Sequence, residues 1–231
     1  MLAVDFDQII VVDIETTGLG PGARPVEVAW IQVDRDLNEI ARAGSLVNPG
    51  IPIEPGASAV NGITDDMVAT SPTLDQFMRS VHSDPFAKGN TLVIAHNAPF
   101  DYPHFAPFCA SSEPLCTLRL ARHVFADFDN YRLESLCTHL SLGGTQEHRA
   151  MADTEMCVAL TKYMADQGTD GIDGLLALAE RALSEMNMPF GKHKNTPIAD
   201  LPSDYVGWMR AEMNGLDGDL KACLDLHHPM T

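Results

Sequence analysis

A short apolar run near the N-terminus, Ile9-Ile10-Val11-Val12, leads into two acids one residue apart, Asp13 and Glu15. Residues 8–13 read as a strand buried on both faces, because side chains alternate along a strand and this run leaves neither face polar. Residues two apart point to the same side, so both carboxylates project from one face. Asp is a poor strand former, and neighbouring buried acids repel. A local rule broken twice within three residues marks a functional position. Spacing alone decides little, since D-x-E recurs at Asp153-Thr154-Glu155, where a helix turns the two acids apart.

The remaining pattern is mixed α/β. Residues 25–33 and 39–47 alternate partially around a polar turn at 34–38, which suits an antiparallel pair. A Pro- and Gly-rich loop spans 48–56, followed by helical pieces at 65–68 and 74–81. Residues 91–95 form a second buried strand. From 99 onward the signal is helical, with helices over 118–125, 133–140 and 150–164 and a short strand at 115–116. A Gly/Asp linker over 168–174 leads into a helix at 175–186, and short, loop-rich sequence follows from 189. We therefore expect a main domain over 1–168, a linker helix over 169–187 and a small module over 188–231.

The charge balance excludes one mode of action. Among 231 residues, 32 Asp and Glu face 15 Lys and Arg, a net charge of −17. A protein that coats duplex DNA by neutralising phosphates has the opposite balance. A nucleic-acid substrate would have to be held through bound metal ions and contacts to a single chain end. The 5 cysteines are odd in number and contain no C-x-x-C, which argues for reduced thiols and against a disulfide scaffold or zinc ribbon. Apolar runs are strand-sized, and no basic segment precedes a leader-like apolar stretch. The expectation is a soluble, cytoplasmic protein that does not enter a membrane.

Two further acids lie on inward stripes. Counting four and seven from Asp101 reaches Phe105 and Phe108; counting three, four and seven from Asp153 reaches Met156, Cys157 and Leu160. An unpaired buried carboxylate is costly, and a divalent cation removes that cost. His148, five residues before Asp153, sits in the loop entering that helix. A histidine there suits removal of a proton from water near neutral pH. The spacing is not distinctive, because His96 and Asp101 share it.

The ordered set carries more weight. Asp13-Ile14-Glu15-Thr16-Thr17-Gly18-Leu19, His96-Asn97-Ala98-Pro99-Phe100-Asp101 and His148-Arg149-Ala150-Met151-Ala152-Asp153 resemble the three motifs of the DEDDh 3′–5′ exonucleases. Pro25-Val26-Glu27-Val28-Ala29 is similar to that family's second strand, and Asn61-Gly62-Ile63-Thr64-Asp65-Asp66-Met67 to its loop over the terminal nucleotide, with Asn61 where a His is common. The likeness covers residues 5–166. It implies an RNase H-like fold, three antiparallel strands then parallel strands flanked by helices, with a small C-terminal α+β module. It implies hydrolysis of the 3′-terminal phosphodiester of DNA to nucleoside 5′-monophosphates. Asp13, Glu15, Asp101 and Asp153 would hold two Mg²⁺ or Mn²⁺ ions, and His148 would act as general base. Thr16, Thr17, Gly18, Leu19, Ile63, His96 and Asn97 would contact the substrate, Leu19 and Ile63 packing on the terminal base, with ordinary core packing as the alternative for those two. Glu27 is expected to be a structural acid.

The tail is narrower in its likeness. Met188-Pro189-Phe190-Gly191-Lys192-His193-Lys194, Ile198 to Pro202, Tyr205 and Trp208 are similar to the C-terminal module of the exodeoxyribonuclease X group. Phe190, Lys192 and Lys194 suit contact with nucleic acid, whereas Tyr205 and Trp208 are expected to form the module's small core. The implied partners are single-stranded or 3′-ended DNA, with RNA possible, and a replication or repair protein bound through the tail. The alternatives are an RNA-trimming exoribonuclease, a proofreading-type epsilon subunit and a non-catalytic replication adaptor.

Overall fold

A computed structural model describes residues 6–20, 22–80, 89–109, 111–125, 128, 130–143, 148–167, 170–213, 216 and 218–230. The chain runs β1 (Gln8–Thr16), β2 (Pro25–Val33), β3 (Glu39–Leu46), α1 (Pro55–Asn61), α2 (Asp65–Val68), α3 (Leu74–Ser80), β4 (Asn90–Ala95) and α4 (Ala98–Phe105). It continues with β5 (Ser111–Cys116), α5 (Thr117–Val124), α6 (Leu133–His139), α7 (Ala150–Asp166), α8 (Gly171–Ser184), α9 (Ser203–Glu212) and α10 (Gly218–His227). Five strands form one mixed sheet in the order β3-β2-β1-β4-β5. The β1–β2 and β2–β3 pairs are antiparallel, and the β1–β4 and β4–β5 pairs are parallel.

The apolar run of β1 is explained by its central place. Ile9 and Val11 join Leu160, Met164 and Leu175 in the core beneath α5 to α8. Ile10, Val12 and Ile14 join Phe77, Met78 and Phe105 in the core beneath α3 and α4. Helices cover both faces, and at about 25 cal/mol per Å² of buried apolar surface these two layers dominate the stability of the fold. All 5 cysteines are free. Among the described residues no helix is long and apolar enough to cross a membrane.

Some boundaries differ from the sequence expectation. The helix placed at 175–186 starts at Gly171. The poor helix propensity of Gly171 and Gly174 is overridden because Ile172 is fully buried in the large core. Residues 168 and 169 of the expected linker lie outside the described residues, as does Val81 of the helical piece at 74–81. Helix α4 ends at Phe105, so Phe108 falls in a separate 3₁₀ turn. Past α8, one isolated bridge (Asn187–Pro197), a 3₁₀ turn, α9 and α10 enclose a small core of Met188, Ile198, Leu201, Val206, Met209 and Leu220. Helix α10 is tied to α5 by the Asp219–Arg119 ion pair.

Candidate active site

The carboxylates converge where β1 outruns its neighbour. By alternation Asp13 and Glu15 share the α7 face with Ile9 and Val11. Pairing of β1 with β4 stops at Val11–Ile94. The Ile14 amide beyond that point donates instead to Asp101 Oδ1 at 3.2 Å. Asp101 reaches it from α4, whose entry turn is set by Asn97 at φ 78°, a left-handed conformation that Asn tolerates. Pro99 follows in the first turn of α4, where its missing N–H is harmless. Asp153 comes from the first turn of α7, the helix end that favours a carboxylate. Its Oδ1 is buried with no hydrogen-bond partner among the described residues. His148 is held at φ 45°. Its ring, Glu15 and Asp153 offer ligand atoms all within 4.8 Å of one another, a group that could hold a metal ion.

The crowding shows in the protonation equilibria. Burial, then the charges of Asp101, Asp153, Glu15 and Glu27, hold Asp13 well above the usual carboxylate range. Burial also raises Asp101, opposed by the amide of Ile14. Glu15 is pushed up to about 7 by burial and by Asp153, against a hydrogen bond from Asn61. Burial lifts Asp153 to about 6, opposed by the charge of His148. Carboxylates this strained fit a cationic ligand. The donor set is all oxygen plus one imidazole, which suits Mg²⁺ or Mn²⁺, and Asp153 Oδ1 is left without a partner among the described residues.

One acid in the neighbourhood is neutralised by the protein. Glu27 lies opposite Glu15 in the β1–β2 register, a repulsive pairing if both were free. It accepts from Arg149 Nε at 3.1 and 3.0 Å, from Arg149 Nη2 at 2.6 Å and from the Ala150 amide at 3.0 Å. The helix-capping acceptor of α7 is therefore a side chain from β2, and the residue it grips directly follows His148. Sequence reasoning named Glu27 as structural but had no sign of Arg149 as its partner, 122 positions away. It also missed Asn61 as a donor to Glu15; the same amide contacts the Thr16 carbonyl at 3.5 Å and takes the Ile63 amide at 3.0 Å.

The expected substrate contacts divide. Leu19 is 91% exposed on the rim. The Thr16 hydroxyl donates to the Gly18 carbonyl at 2.7 Å, and Thr17 Oγ1 accepts from the Arg24 amide at 3.1 Å, so both shape their own turn. Gly18 lies against Glu54, whose carboxylate a Cβ would meet at 2.5 Å. Ile63 is fully buried with Val26, Ile53 and Val68, the core packing weighed as its alternative role. The His96 Nε2 donates to the Tyr131 carbonyl at 2.9 Å, and its Nδ1 lies 2.9 Å from the Thr117 hydroxyl. With both nitrogens engaged, and burial lowering it to about 4, this ring is a neutral structural tie.

Comparison with known proteins places this geometry. A family model described as an exonuclease, RNase_T, matches residues 10–161. A second, of a family named for a quorum-sensing-regulated virulence factor, matches residues 178–228. Exodeoxyribonuclease 10 of Escherichia coli K12 is 27% identical over 212 residues, 90% of this chain and 91% of that protein. The PolC-type DNA polymerase III of Oceanobacillus iheyensis is 33% identical over 157 residues, but these are 64% of this chain and only 11% of the polymerase. The chain thus spans about a tenth of such polymerases. A solved structure of Exonuclease X in complex with 5′ overhanging duplex DNA superposes with a TM-score of 0.60 at 27% identity, covering 74% of this chain and 99% of the other. The ordered acids, the mixed sheet and the matched span lead to one conclusion: the chain belongs to the RNase_T exonuclease family.

Proposed function

We propose that this protein is a divalent-metal-dependent 3′–5′ exonuclease that hydrolyses the 3′-terminal phosphodiester of DNA and releases nucleoside 5′-monophosphates. One observation carries the reading: four acids from β1, α4 and α7 crowd one site while Asp153 Oδ1 stays buried and, among the described residues, unpartnered. Asp13, Glu15, Asp101 and Asp153 would hold two Mg²⁺ or Mn²⁺ ions. When bound, the ions supply Lewis-acid polarisation of the scissile phosphate and the local positive charge that a chain of net −17 lacks.

His148 takes a proton from the attacking water. The water oxygen bonds to phosphorus, the bond from phosphorus to the neighbouring 3′ oxygen breaks, and that oxygen leaves with the electron pair and acquires a proton. Asn97 and the turn from Thr16 to Leu19 orient the terminal nucleotide, and the exposed Leu19 offers an apolar surface for its base. DNA is preferred over RNA in this reading because the relative that this chain covers almost end to end is named an exodeoxyribonuclease. Similarity to PolC-type polymerases favours a proofreading role as the second reading.

The test is to incubate DNA and RNA 20-mers, labelled at either end, with Mg²⁺, with Mn²⁺ or with EDTA. Metal-dependent release of 5′-mononucleotides from the 3′ end of DNA, faster than from RNA, is expected. Release from the 5′ end, or faster RNA trimming, would overturn the substrate assignment, and no release with either metal would overturn the enzymatic one.

A further inference from the structure

The C-terminal module carries an aromatic patch that its own core does not need. Helix α9 turns Val206 and Met209 into the small core. Trp208 points outward and stays 50% exposed, which corrects its sequence-based placement inside the module. Its ring stacks on Tyr205, with centroids 5.5 Å apart and planes 27° off parallel. The His193 ring also packs against Tyr205, with centroids 4.4 Å apart. The Lys192 ammonium lies 5.4 Å from the Tyr205 ring centre. Lys192, Asp204, Tyr205 and Trp208 line an open pocket of about 350 Å³.

The loop is built to this shape. Gly191 adopts φ +71°, and a Cβ there would come within 3.1 Å of the Tyr205 hydroxyl, so glycine permits the close approach. Among the described residues, no carboxylate makes an ion pair with Lys192 or Lys194, although Arg35, Arg42, Arg79, Arg119, Arg149 and Arg210 all have one. Asp204, the acid in the pocket, accepts the Tyr205 amide at 2.9 Å.

We propose that this patch is a stacking site for single-stranded nucleic acid: a base lies on the free face of Trp208 and the adjoining phosphates meet Lys192 and Lys194. The choice of a polynucleotide as occupant rests on the exonuclease reading. The chemistry rests on the patch, because an exposed indole offers a π-face to any base and the lysines offer charge to its backbone. The patch shares no residue with the acid cluster, so it is expected to act on long substrates and to leave the shortest ones untouched.

Trp30 is 1% exposed, so Trp208 dominates any quenching of tryptophan emission by a ligand. The full chain in EDTA, titrated with dT20, is expected to show saturable quenching and a matching anisotropy change. Trp208→Ala removes the quenching and weakens dT20 binding about five- to 150-fold, whereas Trp208→Phe keeps most of the affinity. Lys192→Ala with Lys194→Ala lowers the slope of log affinity against log salt by about 1.4. Turnover of the dinucleotide pdTpdT with Mg²⁺ stays at the wild-type value in all three variants. If Trp208→Ala binds dT20 as the wild type does, the stacking site is wrong and a protein-docking face takes its place. Retained quenching without metal-dependent cleavage of any oligonucleotide would instead overturn the exonuclease reading and support the stacking site.

Discussion

Two stretches of this chain spell the same pattern, His96 to Asp101 and His148 to Asp153, and the fold uses their histidines in opposite ways. Each carries a residue of unusual backbone at or beside its histidine, Asn97 at φ 78° and His148 at φ 45°. Each ends in a buried aspartate in the first turn of a helix. Their surroundings separate them. His96 is clasped by Thr117 and Tyr131 and kept neutral down to about pH 4. His148 faces Glu15 and Asp153 instead. One ring ties α5 and the segment before α6 to the end of β4, and the other is presented to the acids. Identical spacing therefore says nothing about role; the atoms within hydrogen-bond reach decide it.

The largest effects should be shared by the two stretches, since both aspartates serve the same site. Asp101→Asn and Asp153→Asn are each expected to reduce Mg²⁺-dependent turnover on a labelled oligonucleotide below detection. Either should also hold or raise the metal-free melting temperature, because a crowded charge is removed. Wild-type turnover in Asp101→Asn would break the symmetry and restrict the site to β1 and α7.

The histidines should then part company. His148→Ala is expected to lower the turnover number about 10²–10⁴-fold, the usual worth of a positioned general base, with little loss of stability. His96→Ala leaves the Tyr131 carbonyl without its donor and should cost about 1–3 kcal/mol in urea unfolding, while the folded enzyme keeps its turnover within a few fold. Equal losses of turnover in the two variants would contradict the division of roles.

A smaller effect concerns what sets His148 in place. Glu27→Gln keeps one carbonyl oxygen for the Ala150 amide or for Arg149, but not the full grip on both. A loss in kcat of about ten- to 100-fold, the usual cost of disturbing an outer partner of a metal site, is expected with KM little changed. Unchanged kcat would show that the backbone alone positions His148.

Much of this was legible from residue order, and the reason is local. The period of two along β1 was enough to place Asp13 and Glu15 on one face, and the period of 3.6 along α7 was enough to turn Asp153 inward and Glu155 outward. The resemblance supplied the family and the roles expected of the acids. Features that depend on distant residues stayed hidden. Nothing near His96 announces Tyr131, 35 positions on. Ile63 looks the same whether it caps a base or fills the pocket of Val26, Ile53 and Val68. The early start of α8 depends on Ile172 finding a core, a tertiary gain that outweighs two glycines. Trp208 looked like core material because hydrophobicity is a property of the residue, whereas exposure is a property of the fold.

The central claim is that four acids are held together against their own repulsion until cations arrive, and stability against pH tests it most directly. A carboxyl raised in the folded state keeps a proton that the unfolded chain releases, so the metal-free protein binds more protons when folded and loses stability as pH rises. For Asp153 that window runs from its ordinary value of 3.8 to about 6, and for Glu15 from 4.5 to about 7. Mn²⁺ competes with those protons and binds more tightly as they leave. Thermal melting of the full chain from pH 5 to 8, with EDTA and with Mn²⁺, is expected to show a melting temperature that falls with pH in EDTA and a Mn²⁺-induced rise that grows with pH. A melting temperature that ignores Mn²⁺ at pH 8, or that climbs with pH in EDTA across this window, would contradict the account.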